Sequence, residues 1–346
     1  MHVKSRNRNF LGSMDRRKFL AFASSAVAAG ASALAMPRAL AQSAPYPARP
    51  VTLVVTYPPG SATDLMGRII ANELSVHLGQ TVVVENKSGA GGSIGATAVA
   101  RSKNDGYTLC LGSNSTMAIN RALYRSLQYD PLKDFIPVIK TGTSANILVV
   151  PGASSITSVQ ALIQSLKESR KVFQYSSSGN GTIQHLEAAL LIKQLGVSAD
   201  HVPYRSPAEQ LLAVIAGRGG DFSFATMFGA LAYVKDGRLR GLGITTLAPS
   251  PLLPEVPSLS SVGLKDFEKT NAWWGIVAPS GTPEPVIQTL HGALVKTLNS
   301  PSVQSKLSAA GFDPAPPMPA SEFAQYVHEQ ISFYADLVKV SGATVD

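Results

Sequence analysis

The stretch VTLVVTYPPGSATDLMGRIIANELSVHLG, residues 51–79, decides the fold class. Its first five residues are apolar and mostly β-branched, which predicts a strand. Tyr57-Pro58-Pro59-Gly60-Ser61-Ala62-Thr63-Asp64 then predicts a loop, and from Leu65 apolar residues recur at helical spacing. The same strand, loop, helix order returns at once. TVVVEN (81–86) is followed by the glycine loop Ser88-Gly89-Ala90-Gly91-Gly92-Ser93 and the small-residue helix IGATAVARS, and Tyr107 to Gly112 by Ser113-Asn114-Ser115-Thr116 and another helix. Strands alternating with helices predict an α/β protein with parallel sheets, whose loops gather at the carboxyl edge of the strands.

A second unit repeats the pattern after Ile147-Leu148-Val149-Val150. VFQYSSS (172–178) predicts a strand, Gly179-Asn180-Gly181 a turn, and Thr182 the N-cap of a helix to about Leu195. HVPYR, a helix through 211–216, the strand FSFAT (222–226), a helix near 228–236 and the strand LRGLGITT follow. Pro249, Pro251, Pro254 and Pro257 mark a long surface connection, and after Trp273-Trp274 two helices are expected, 283–298 and 320–341. Two α/β lobes around a cleft result: 42–143 plus 270–346 as lobe 1 and 144–269 as lobe 2.

The chain of 346 residues carries a net charge of +8, but residues 1–41 hold seven basic groups against Asp15 alone, leaving +2 for the body. A phosphate-binding surface is therefore not indicated, and no nucleic-acid partner is expected. Arg16-Arg17, the apolar run Phe19–Ala35 and Ala39-Leu40-Ala41 predict a cleaved twin-arginine export signal over 1–41, with a mature start near Gln42 and Met1 or Met14 as the start codon. The single Cys110 excludes an internal disulfide, and its apolar strand predicts an inert buried thiol.

Gly91-Gly92-Ser93-Ile94-Gly95 matches the pattern of a hydrolase nucleophile elbow, but about seven residues separate strand from serine where an elbow has a sharp turn. The reading taken is that the glycines permit close backbone approach. The histidines lack metal-ligand spacing, Asp64, Glu187 and Asp221 fall on different elements, and neither a P-loop nor a complete G-x-G-x-x-G is present. No cofactor and no catalytic residue are expected.

What recurs is a loop rich in Gly, Ser and Thr at the start of a helix, where free amides and the helix dipole suit an anion. Ser61, Thr63, Ser113, Ser115, Ser177 and Thr182 add hydroxyls. Asp64 is read either as a cap of its helix or as a ligand contact, and His185 as a donor to a carboxylate or to a backbone carbonyl. Arg205 is read as an interlobe ion-pair partner or a ligand clamp, and Trp273 and Trp274 as core or, for one of them, as lining of the cleft.

In combination, VVTYPPGSATD (54–64), VVVENKSGAGGSIGA (82–96), DGYTL (105–109), YDPLKDFIPV (129–138), SSGNGTIQHL (177–186), HVPY (201–204) and APSGTP (278–283) resemble the Bug family, the extracytoplasmic solute receptors of tripartite tricarboxylate transporters. The resemblance implies a type II periplasmic-binding-protein fold closing over a small organic carboxylate (a di- or tricarboxylate or an aromatic acid), a periplasmic monomer, and the membrane subunits of such a transporter as partner. Carried over by position, Tyr57, Pro59, Gly60, Ser61, Ala62 and Asp64, with Ser113 and Ser115, would form one wall of the pocket. Ser177, Gly179, Thr182 and His185, with Tyr204 and Asp221, would form the other. Ser61 replaces a usual glycine, Gly219-Gly220-Asp221 departs from the family's Gly-x-Val-Asp, and Ala225-Thr226 stands where an Asp or Asn is common, which makes a plain carboxylate a better ligand than an amino acid. Two other roles are compatible with the residues: a ligand-loaded periplasmic sensor for a signalling receptor, and, less favoured, a secreted hydrolase using Ser93.

Overall fold

A computed structural model describes residues Pro45–Val345, so the export signal expected over 1–41 lies outside the described residues. The quoted stretch folds as expected. Strand β1 is Val51–Val55 and helix α1 is Ala62–Leu78, begun by the Ser61 side chain accepting from the Asp64 amide and ended at Gly79 with φ 65°. Leu53 and Val55 point with Met66, Ile70 and Leu74 of α1 into one core, while Val54 points into another with Cys110 and Trp273. A sheet covered on both faces explains why β1 is apolar almost throughout.

β1 pairs in parallel with β2 (Val82–Asn86) and with β3 (Thr108–Ser113), and α2 (Ser93–Ala100) connects these two strands. After β3 come a π-helical turn, Ser115–Ile119, and the short α3, Asn120–Leu123. The six-stranded sheet is completed by β4 (Phe135–Ser144), β10 (Ala272–Pro279) and β11 (Asp313–Pro314), in the order β11-β4-β10-β3-β1-β2. A five-stranded sheet follows the order β7-β6-β8-β5-β9, built from β5 (Asn146–Pro151), β6 (Phe173–Ser177), β7 (Ala199–Pro203), β8 (Phe222–Thr226) and β9 (Leu239–Ile244). Its helices are α4 (Val159–Glu168), α5 (Ile183–Leu195), α6 (Pro207–Ile215) and α7 (Met227–Lys235).

The sheets are mixed, where wholly parallel ones were expected: β10 runs antiparallel to β3 and β4, and β5 antiparallel to β8 and β9. The cause is the route of the chain. It passes from one sheet to the other at Ser144–Asn146 and returns through 245–271, and strands entering from the other sheet need not follow the right-handed helix crossover that keeps neighbours parallel. The Pro-rich return is not merely surface, since Leu253, Val256 and Leu259 are buried. The chain then forms α8 (Glu284–Asn299), α9 (Pro301–Ala309), which the pattern did not suggest, and α10 (Ala320–Ser341). Helix α10 packs on β4 and on α5, so it touches elements of both sheets. Its Phe323 sets its ring edge-on to Trp273 with centroids 5.9 Å apart. Both tryptophans are core, with indole N–H groups satisfied by Gln330 and Thr63.

Candidate ligand-binding site

The loops after β1, β2 and β3 leave the same edge of the six-stranded sheet, because these strands are parallel. The first is held by Asp64. One carboxylate oxygen accepts from the Gly60 amide at 2.9 Å and Arg68 Nε at 3.0 Å, the other from Asn86 Nδ2 at 2.9 Å and an Arg68 terminal nitrogen at 3.0 Å. Asn86, the last residue of β2, also donates to the Tyr57 carbonyl at 2.9 Å. Burial by itself would raise the Asp64 pKa, but the hydrogen bonds from Arg68, Gly60 and Asn86 outweigh it and hold the group below its usual value. Asp64 thus braces the turn formed by Pro59, Gly60, Ser61 and Ala62, and of the two readings of this residue the cap describes its contacts.

The second and third loops close on the first. A side chain at Gly92 (φ 86°) would put its Cβ 2.6 Å from the Thr116 methyl, and one at Gly95 would lie 2.5 Å from the Lys87 carbonyl. These glycines therefore serve close approach, and Ser93 begins α2 after a short turn. Asn120 Nδ2 donates to the Gly91 carbonyl at 3.1 Å. In the space so framed, the Tyr57 phenol, pushed up by burial, lies against the Ser115 and Ser113 hydroxyls, which pull the other way. Ser113 Oγ is buried without a hydrogen-bond partner of good geometry, and so is Thr56 Oγ1, which lies against Gly92.

The loop after β6 is built differently. Ser177 Oγ donates to the Gly179 carbonyl at 2.9 Å, accepts from the Gly179 amide at 3.1 Å, and lies 2.6 Å from His201 Nε2. Having one proton to give, Ser177 leaves His201 as the donor, so neutral His201 carries its proton on Nε2. His185 accepts the Gly181 amide at its Nδ1 at 3.0 Å, which puts its proton on Nε2 and leaves that nitrogen as a donor. The two imidazoles stack with centroids 3.9 Å apart at 11°, and Tyr175 stacks on His201 at 5.0 Å. Burial first, and His201 second, push the His185 pKa down to about 4; burial lowers His201 as well. Thr182 is the N-cap residue of α5, as expected, but its Oγ1 donates to the Gly179 carbonyl at 2.8 Å and makes no capping hydrogen bond. Gly181, at φ 72°, packs on Leu123 from the end of α3, which brings this loop against the other sheet's elements.

Two expected residues stand apart. Asp221 precedes β8, and its amide pairs with Gln174, three residues before Ser177, so it lies about 10 Å from the loop, near the opposite edge of the sheet. Its carboxylate is ion-paired with Lys171 and accepts from the Gln174 amide at 2.9 Å. Asp221 is therefore removed from the site. Tyr204 stays near Gly179 through its backbone, but its hydroxyl donates to the Arg218 carbonyl at 3.2 Å. Arg205 is exposed, and its amide donates to Glu209, with no interlobe ion pair among the described residues. Thr56, Asn86, Asn120 and His201 were not among the expected residues. The first two carry a readable signal, polar residues ending apolar strands, whereas His201 meets His185 only through strand register.

A profile described as a tripartite tricarboxylate transporter family receptor matches residues 66–342. BugT of Bordetella pertussis is 32% identical over 299 residues, 86% of this chain and 91% of that protein. The chain belongs to the Bug family of solute receptors. Among solved structures, R. palustris Rpa4515 with adipate is 32% identical at a TM-score of 0.78, covering 87% of the receptor and 100% of that chain. MatC from Rhodopseudomonas palustris with bound malate is 30% identical at 0.74, covering 85% and 100%. The receptor has the two-lobe α/β fold of periplasmic binding proteins, and its family is one of transporter receptors, not of enzymes.

Proposed function

We propose that this receptor is a periplasmic solute-binding protein that captures a small dicarboxylate between the loops following β1, β2 and β3 and the loop following β6. The captured ligand is handed to the membrane subunits of a tripartite tricarboxylate transporter. The observation that carries this reading is the buried Ser113 hydroxyl beside the Tyr57 phenol, without a hydrogen-bond partner of good geometry. Buried hydroxyls are rarely left without a partner, and a carboxylate is an acceptor that the Ser113 hydroxyl can meet by rotation about one bond. Adipate and malate, held by two neighbours, are both dicarboxylates. One carboxylate would sit at the Ser113 hydroxyl and the first amides of α1, which have no intrahelical acceptor; the other would meet the start of α5. In this reading residues 42–143 with 270–346 form one lobe and 144–269 the other, and the ligand favours closure by bridging them. The receptor acts as a monomer after twin-arginine export.

The test is a thermal-shift screen of protein beginning at Gln42, refolded to remove bound ligand, against adipate, malate, citrate, benzoate and glutamate. At about 100 times its Kd a ligand adds about 2.7 kcal/mol, a clear rise in Tm. Dicarboxylates raising Tm above the others supports the reading, and well-folded protein that no carboxylate stabilises refutes it.

A further inference from the structure

Glu187 lies outside both loop clusters. It sits on α5 with no solvent exposure, and among the described residues it forms no ion pair with a basic side chain. Its Oε1 accepts from Asn146 Nδ2 at 2.7 Å and from the Thr270 hydroxyl at 2.7 Å. Its Oε2 has no partner, and neither has Asn146 Oδ1, which is also buried.

The two donors mark the two passages between the sheets. Asn146 opens β5 directly after the first passage, and Thr270 stands two residues before β10, where the second ends. A further pair ties the same segments: the Asn146 amide donates to Thr245 Oγ1 at 2.8 Å, and that hydroxyl donates to Asn271 Oδ1 at 2.5 Å. Any change in the angle between the sheets must pass through these residues, because among the described residues the chain crosses nowhere else except at the C-terminal helix.

An ionised carboxylate in this position would leave Oε2 charged, dry and without a donor, an unfavourable state for a buried group. A proton on Oε2 removes the charge and supplies a donor, and Asn146 Oδ1 offers an unused acceptor within the same cluster, directly or through one water. Burial pushes the Glu187 carboxyl up to about 8, against the opposing pull of the Thr270 and Asn146 hydrogen bonds. From α10 the titratable neighbour is the Tyr334 phenol, itself pushed well above its ordinary range by burial, while β5 and the turn before β10 contribute Asn146 and Thr270, which do not titrate.

The geometry points to Glu187 as the positioning residue of the hinge: a neutral acid on α5 that ties the two passages together, so that loss of its proton loosens them and weakens ligand capture. Relief of the charged form comes by admitting water to Oε2, which requires the passages to part. The ligand readout rests on the proposed capture of a dicarboxylate, but the hinge itself does not.

Glu187→Gln keeps an acceptor for both donors, places an N–H where the acid carries its proton, and cannot ionise. Calorimetric titration with adipate and malate and ligand-free small-angle scattering would be run on wild type and this variant from about pH 6.5 to about pH 9.5. Wild type is expected to lose affinity for the better probe by about fivefold or more and to expand, while the variant stays flat on both readouts. A purely structural glutamate would instead give a variant of lower Tm with the same pH profile as wild type, and coincident profiles overturn the proposal. If neither probe binds at any pH, the capture reading fails and the scattering comparison decides the hinge alone. If the variant does not fold, an invariant wild-type radius across the range overturns the proposal, and an expansion supports it.

Discussion

The loop after β1 and the loop after β6 both join a strand to a helix and both begin a candidate wall, yet they are braced by opposite means. In the first, a carboxylate gathers Gly60, Arg68 and Asn86 around Asp64, and two hydroxyls nearby stay unpaired. In the second, neutral rings do the bracing. His185 holds the Gly181 amide, His201 holds Ser177, and the hydroxyls of Ser177 and Thr182 are turned inward to Gly179. The first wall therefore keeps hydroxyls free for a ligand, while the second has used those of Ser177 and Thr182 to fix its own shape. Substitutions should separate the two, with loss of affinity without loss of fold on one side and loss of fold on the other.

The largest effect is expected at Gly181. Alanine there must hold φ near 72° and places its Cβ 2.3 Å from Leu123. Left-handed strain costs about 1–2 kcal/mol and overpacking about 1–3 kcal/mol, so chemical denaturation should show a loss of about 3 kcal/mol. Combining it with Leu123→Ala should recover the overpacking part and leave the strain. Equal losses in the presence and absence of the Leu123 side chain would remove that contact from the account of the loop.

Acid should break the second wall before the first. His185 titrates at about 4 in the fold against 6.5 when exposed, so the native state binds fewer protons than the unfolded chain across that interval. Its contribution is present above pH 6.5 and is lost progressively as the pH falls toward 4, about 1.4 kcal/mol per unit. Asp64, whose pKa is lowered, keeps its contribution until the pH falls below its unfolded value of 3.8. His185→Gln, which can still accept from the Gly181 amide but does not titrate, should flatten the fall in Tm between pH 6.5 and 4. An unchanged fall would place the acid sensitivity elsewhere.

How far the sequence showed this contrast depends on whether a feature is local. The strand, loop, helix order and the Ser61 cap are written in neighbouring residues, and they were readable. The His185–His201 stack needs β6 and β7 to pair with Tyr175 opposite His201, a register that the twenty-one residues between the strands do not reveal. The mixed sheets were hidden for a similar reason, since β4, β5 and β10 are apolar runs like any other until their order is known. Helix α9 escaped because PSVQSKLSA buries only Val303 and Leu307. Asp221 was a different kind of error. A residue that precedes a strand parallel to β6 must lie at the opposite edge from the residues that follow β6, so the expectation of parallel strands already argued against it.

The smallest effects on stability give the finest test of the contrast. Ser177→Ala removes a hydroxyl that makes three contacts inside the protein and leaves His201 Nε2 without its partner, so a loss of about 1–2 kcal/mol is expected. Ser113→Ala removes a hydroxyl with no hydrogen-bond partner of good geometry, so its stability should stay within about 0.5 kcal/mol of wild type. If that hydroxyl is kept for the ligand, the same substitution should weaken dicarboxylate binding about tenfold by calorimetry, the effect of one hydrogen bond to a charged acceptor. The two variants then move in opposite columns, stability for Ser177 and affinity for Ser113. A Ser113→Ala variant that binds like wild type would show that the unpaired hydroxyl is not a ligand donor, and the first wall would have to be sought at the α1 amides alone.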